Sequence, residues 1–173
     1  MRIALLWLKR DLRLFDHQPL QQALDYVRLD SCPLGGLYVL EQEYWQQADT
    51  SQRQWAFIYE GLLALDKHWQ QLGGAGLCFI NSCIAAQLEQ WQQAGYQLAL
   101  FSHKETGNLW TYQRDKMVEK NYRQLGINFH QPTKVDTLRP TPNRDQLDRQ
   151  LQQITRPTPN HQPNIPTHKP IHP

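Results

Sequence analysis

Six consecutive apolar residues, Ile3 to Leu8, stand near the start of the chain. A short run without polar alternation fits a strand covered on both faces, as in a parallel sheet. Pro19 suits the first turn of a helix, and Leu20, Ala23, Leu24 and Val27 share one face, so a helix is predicted from Pro19 to Arg28. Leu37 to Leu40 reads as a second strand, led in by Gly35-Gly36. Trp55, Ile58, Leu62, Leu65, Trp69 and Leu72 recur at steps of three and four, which predicts a helix over 52–72 stopped by Gly73-Gly74. Leu77 to Ile80 is a third strand, and Ile84, Leu88 and Trp91 mark the helix after it. Leu98 to Phe101 is a fourth, followed by a helix from Asn108 to Leu125 closed by Gly126. Ile127 to Phe129 is a fifth strand.

This alternation with short connections predicts an α/β fold: a doubly wound, five-stranded parallel sheet in a Rossmann-like or flavodoxin-like three-layer αβα arrangement. Ligands on such sheets sit outside the carboxyl ends of the strands, where the strand order reverses. That directs attention to segments 9–17, 41–50, 81–83 and 102–110. Past Gln131 the pattern decays. A helix is expected within 143–154, with Leu147, Leu151 and Ile154 on one face. From Pro157 the chain carries too little apolar content to order itself and is expected to be extended and polyproline-like. The expected division is therefore an α/β domain over 1–131 and a linker helix with a proline-rich tail over 132–173.

Charge follows the same division. Residues 1–130 hold 12 Lys/Arg against 13 Asp/Glu, whereas 131–173 hold 6 against 3 together with 9 of the 11 prolines. By charge alone the α/β part is no basic nucleic-acid-binding module, and no direct nucleic-acid binding is expected of this chain. No apolar run approaches the ~20 residues of a membrane span. The apolar start meets Lys9-Arg10-Asp11 with no small-residue cleavage site, so it reads as a strand instead of a signal peptide. Cys32, Cys78 and Cys83 form neither a disulfide framework nor a zinc spacing, which points to a reducing cytoplasm. Gly73-Gly74-Ala75-Gly76 precedes a strand instead of opening a helix, so it is no dinucleotide or phosphate loop.

Three constellations could carry chemistry. Lys9-Arg10-Asp11-Leu12-Arg13-Leu14-Phe15-Asp16-His17 crowds charges after the first strand, either to hold an anionic or heteroaromatic ligand or to form an internal ion-pair network. Ser102-His103-Lys104-Glu105-Thr106-Gly107-Asn108-Leu109-Trp110 leads into the last helix with Asn108 as its expected cap. Ser102, His103 and Glu105 are too close together to assemble a nucleophile triad, so no catalytic residue is assigned. Arg114 lies on the stripe meant for the core and needs a partner there, with Asp11 or Asp16 expected. Trp45 and Trp110, near strand ends, are candidates to stack on a flat ligand.

Taken together, these segments resemble the photolyase/cryptochrome family. The first strand followed by Arg10-Asp11-Leu12-Arg13 and Asp16-His17 is similar to the family's opening. Tyr38-Val39-Leu40-Glu41 resembles its second strand, and Arg53 and Phe57 with the spaced leucines resemble its R-x-x-x-F helix. Ser102 to Asn108 with Trp110-Thr111 and Arg114-Asp115 is similar to a bacterial, cryptochrome-like branch. The resemblance implies the amino-terminal half of a light-driven DNA repair enzyme or blue-light receptor, holding an antenna pigment that passes excitation energy to FAD in a separate helical domain.

On that basis the expected function is binding of a deazaflavin, lumazine or flavin pigment in support of DNA photorepair or light sensing. Folate is disfavoured because Trp110-Thr111 departs from the Asn-Glu pair by which the family's folate-type members hold their pigment. Arg10, Tyr38, Glu41, His103, Glu105 and Trp110 are expected to line the crevice. Asp11, Arg13, Asp16, Arg114 and Asp115 are expected to hold its loops. FAD and catalysis would require a helical domain beyond these 173 residues, so no lyase activity is expected of this chain alone, and no metal. The alternative is a pigment-free interaction module or degenerate remnant that docks on a separate partner.

Overall fold

The computed structural model describes residues 1–132 apart from Thr106 and Gly126. The expected helix at 143–154 and the proline-rich tail lie outside the described residues. Five strands, β1 (Arg2–Leu8), β2 (Leu34–Val39), β3 (Leu77–Ile80), β4 (Gln97–Phe101) and β5 (Asn128–His130), form one sheet in the order β3-β2-β1-β4-β5. Every neighbouring pair is parallel. The helices are α1 (Gln18–Asp30), α2 (Gln42–Trp45), α3 (Gln52–Gln71), α4 (Ile84–Gln93) and α5 (Leu109–Leu125).

The unbroken apolar run of β1 feeds two cores, because alternate side chains of a strand point to opposite faces. Ala4, Leu6 and Leu8 pack with Leu20, Leu24, Leu62, Leu65 and Trp69 from α1 and α3. Ile3, Leu5 and Trp7 pack with Ile84, Leu88, Trp91, Val118 and Tyr122 from α4 and α5. Full burial of each such large side chain stabilises by about 1.5–3 kcal/mol.

Three features depart from expectation. Gly35 and Gly36 lie inside β2 instead of leading into it, with Gly36 paired to Leu6 and Leu77. The reason is steric: a Cβ on Gly36 would stand 2.4 Å from Leu77 Cδ2 and 3.4 Å from the Trp69 ring, so the absent side chain lets the helix layer close on the sheet. A short helix, α2, stands within 41–50, where the apolar pattern predicts no element. At the start of α1 the cap is a histidine: His17 Nδ1 accepts a hydrogen bond from the Leu20 amide at 3.1 Å. Serine and asparagine cap α3 and α5 as usual, Ser51 taking the Gln54 amide and Asn108 the Thr111 amide.

The order reverses between β1 and β4, since the chain runs outward to β3 on one side and to β5 on the other. The loops that leave their carboxyl ends, 9–17 and 102–108, therefore diverge at the place where such sheets bind ligands.

Candidate functional site

The first loop is held by its own polar groups. Asp11 accepts the Lys9 amide on Oδ1 at 3.1 Å, and its carbonyl accepts the Arg13 amide at 2.7 Å. Arg13 returns Nε and Nη2 to the Asp16 carbonyl at 3.2 and 3.1 Å, which holds Asp16 at a positive φ of 48°. Asp tolerates that left-handed conformation better than most residues.

Below the loop, Asp11 meets two imidazoles. Its Oδ2 is hydrogen-bonded to His103 Nδ1 and lies 2.9 Å from His17 Nε2, off the axis of a well-formed bond. All three side chains are buried. Burial pushes the Asp11 carboxyl up, but the bond from His103 and the close approach of His17 outweigh it and hold the group far below the usual carboxylate range. Burial lowers His17 and outweighs the pull of Asp11, so its ring is neutral.

Asp11, His17 and His103 place three ligand-type atoms within 4.8 Å, the only such grouping among the described residues. The tautomer argues against a metal. Because His17 Nδ1 accepts the Leu20 amide, its proton sits on Nε2, the nitrogen that faces Asp11. Ligation through Nε2 would move that proton to Nδ1, against the Leu20 N–H, and cost the α1 cap. The trio is a buttress that joins the loops after β1 and β4.

A second cluster lies toward α5. Lys9 Nζ donates to Asp115 Oδ2 at 2.7 Å and to the His103 carbonyl at 2.9 Å. Arg114 donates to Glu41 Oε2 at 2.6 Å and, through Nε and Nη2, to Asp115 Oδ1 at 3.1 and 2.9 Å. Arg10 Nη2 meets Glu105 Oε1 at 2.6 Å, and Gln131 donates to Asp115 Oδ2 at 2.9 Å. The expected tether of Arg114 to Asp11 or Asp16 is thus corrected: Asp11 is taken by histidines, Asp16 is exposed, and Arg114 reaches Glu41 and its own neighbour Asp115.

Three cations (Lys9, Arg10, Arg114) face three carboxylates (Glu41, Glu105, Asp115), so the cluster is balanced in formal charge, and Asp11 stands apart with its histidines. At Glu41 burial raises the carboxyl despite Arg114. Asp115 is held low instead, because Lys9 and Arg114 overcome its burial. Arg114 is held in its charged form, Glu41 and Asp115 outweighing burial. Both Lys9 Nζ and the Arg114 guanidinium also sit over the Trp7 ring, at 4.2 and 4.8 Å.

Two cavities adjoin this cluster. The larger, about 520 Å³, opens at the carboxyl ends of β2 and β3 between α2, the start of α4, and α5; Glu41, Arg114, Trp110, Gln113, Met117 and Cys83 are among its walls. The smaller, about 30 Å³, is enclosed by Arg10, Tyr38, Glu105, Tyr44, Trp45 and Ile58, and shares Glu41 and Arg114 with the larger.

Of the residues expected at the crevice, Glu41 lines both cavities, Trp110 the larger, and Arg10, Tyr38 and Glu105 the smaller. His103 lines neither and belongs to the Asp11 buttress. Trp45 packs edge-on against Tyr44 and Trp55, with ring centroids 5.1 and 5.2 Å apart. The contributions of Gln113, Met117 and the 81–83 turn were not named from sequence. The turn lay in a segment flagged by the sheet rule, but neutral side chains such as these carry no chemical signal.

Among the described residues no helix is long and apolar enough to cross a membrane. The fold superposes on a cryptochrome from Synechocystis sp. PCC6803 with a TM-score of 0.67 at 20% identity, covering 78% of this chain and 28% of that one. It superposes on a bacterial class III photolyase from Agrobacterium tumefaciens with a TM-score of 0.71 at 17% identity, covering 100% and 36%. An archaeal photolyase from Sulfolobus tokodaii, described as holding two FAD molecules, gives 0.63 at 17% identity, covering 98% and 38%. At these identities the likeness shows the fold, and the chain spans about a third of the length of each solved protein. No curated protein matches the chain. The sequence model for DNA photolyase, however, matches residues 4–155. With a match over most of its 173 residues, this α/β chain belongs to the DNA photolyase family.

Proposed function

We propose that this chain is a light-harvesting α/β domain that holds a flat antenna pigment of deazaflavin, lumazine or flavin type, in support of photorepair or light sensing. The observation that carries the reading is the 520 Å³ cavity at the strand ends, walled by Trp110 and floored by the buried Glu41–Arg114 pair. Its volume lies within the ~300–1,000 Å³ range of small-molecule sites, and an aromatic wall with a few convergent polar groups is their usual chemistry. Trp110 offers a ring face to a fused heterocycle. Glu41 accepts from a ring N–H, while Arg114 donates to a ring carbonyl. A bound pigment would supply absorption of near-ultraviolet or blue light and transfer of the excitation energy. Repair itself would need the family's helical FAD domain.

The test is direct. The purified protein, offered flavin mononucleotide, deazaflavin, lumazine and folate in turn, is expected to retain visible or near-ultraviolet absorbance through gel filtration and to melt higher. Trp110→Ala should weaken binding roughly fivefold, given ~1 kcal/mol for an aromatic stack. Absence of both absorbance and melting shift with all four compounds overturns the reading.

One observation favours the alternative, an interaction module. α3 turns Phe57 and Leu63 to solvent at 78% and 53% exposure. Capture of a helical FAD-binding protein by the pigment-free chain, lost in Phe57→Glu, would support that role.

A further inference from the structure

The two cavities differ in size by more than tenfold, yet they are separated by very little. α2 stands between them. Gln42 and Glu43 line the larger, Tyr44 and Trp45 the smaller, and Glu41 and Arg114 are walls of both. We propose that residues 42–50 form a movable partition, and that its displacement joins the two cavities into one ligand site reaching from Trp110 to Arg10. This rests on the cavity being the ligand site argued above.

The fastening of the segment supports mobility. None of the four residues of α2 is buried. Its ring contacts are edge-on or tilted: Trp45 to Trp55 at 5.2 Å, Tyr44 to Trp110 at 5.7 Å. Its polar ties are exposed, namely Gln42 to Asn81 at 3.3 Å and the clasp in which Asn108 Nδ2 donates to both Asp49 oxygens at 2.9 Å. Segments with few buried contacts and solvent-exposed hydrogen bonds open at much lower cost than the fold as a whole. The surroundings, in contrast, are fastened from other elements: β1 and β4 pair within the sheet, Lys9 and Arg114 hold Asp115, and Glu41, whose carbonyl starts α2, is held at its buried carboxylate by Arg114 of α5. Moving 42–50 aside would therefore uncover a preformed polar floor and give Arg10 and Tyr38 access to a ligand stacked on Trp110.

Two variants of the full chain test this. Asn108→Asp keeps an efficient cap for α5 but sets a carboxylate against Asp49. Asp49→Ala removes the clasp without touching the cap. Amide hydrogen exchange across 42–50 is expected to exceed that of α3 and β1 in the wild type, and to rise at least about tenfold in both variants with β1 and β4 unchanged. Flavin mononucleotide, where it binds, should associate faster in both. Exchange across 42–50 that matches α3 in the wild type, or that neither variant alters, overturns the partition. So does a bound flavin with an unaltered association rate. Fast, variant-sensitive exchange without flavin binding would sustain the partition and refute the pigment reading instead.

Discussion

Arg114 of α5 and Glu41 at the end of β2 form a buried ion pair at 2.6 Å across 73 residues of sequence. The same guanidinium binds Asp115, so a single side chain neutralises carboxylates from two elements. Arg114→Ala would leave Glu41 and Asp115 short of a partner in a dry site, and loss of one member of a buried pair costs about 3–5 kcal/mol. Arg114→Lys should restore little, because a point charge on a flexible stem cannot replace a planar fork with both sides engaged. Urea unfolding measures both. A loss below about 1 kcal/mol for Arg114→Ala would refute this account.

The buried Asp11–His17 contact sets a pH dependence. His17 has its pKa lowered by burial, so the unfolded chain binds a proton that the fold refuses; stability should fall as pH drops through the ordinary imidazole range near 6.5. Asp11 and Asp115 are held below their ordinary values, so their contribution, complete above about pH 4 to 5, is lost as pH falls further. Glu41 acts in the opposite sense, because its raised carboxyl favours the fold as it takes up a proton. The expected profile is a decline beginning near pH 6.5 and steepening below pH 4. His17→Asn retains a cap oxygen and should flatten the first stage only. A flat wild-type profile from pH 7 to 5 would contradict the neutral buried ring.

Tyr122 offers a test with the reverse sign. It belongs to the same core as Val118 and Trp91, its ring lies 5.3 Å from that of Phe129, and its buried hydroxyl has no hydrogen-bond partner among the described residues. A buried donor without a partner is costly, whereas its removal together with its polarity is not. Tyr122→Phe is expected to leave stability unchanged or raise it by up to about 1 kcal/mol in thermal or urea unfolding. A loss of more than 1 kcal/mol would mean that the hydroxyl is satisfied.

These sites differ in how far the sequence announces them. Apolar period locates the four long helices and the central strands because each buries a stripe in one of two cores, and the edge strands β3 and β5 because their few apolar residues still pack against those cores. Its errors are local. Gly35-Gly36 looks like a turn in sequence, since the Leu77 and Trp69 side chains that demand a missing Cβ are 33 or more residues away. α2 is too short for a period. Arg114 reads as buried and in need of a partner, but its choice of Glu41 depends on how β2 and α5 converge, which residue types do not encode. His17 as a cap escapes because histidine rarely has that role and gains it here from the neutral state that burial imposes.

Gly36 permits the most discriminating of these tests. Its pairing with Leu6 and Leu77 puts it in the middle of the sheet, where glycine normally weakens a strand. An added methyl would meet Leu77 Cδ2 at 2.4 Å and Trp69 at 3.4 Å. Leu77, which shares a core with the buried Trp69, would have to shift, so Gly36→Ala should cost about 1–3 kcal/mol, the usual range for overpacking. If the cost arises from this one contact, it must disappear when the contact does. Leu77→Ala alone is expected to destabilise, by loss of burial, but Gly36→Ala added to Leu77→Ala should cost nothing or recover stability, because the methyl then fills vacated space. A double-mutant cycle read by urea unfolding gives the coupling. Additive losses would show that the glycine serves its own backbone instead of the approach of Leu77.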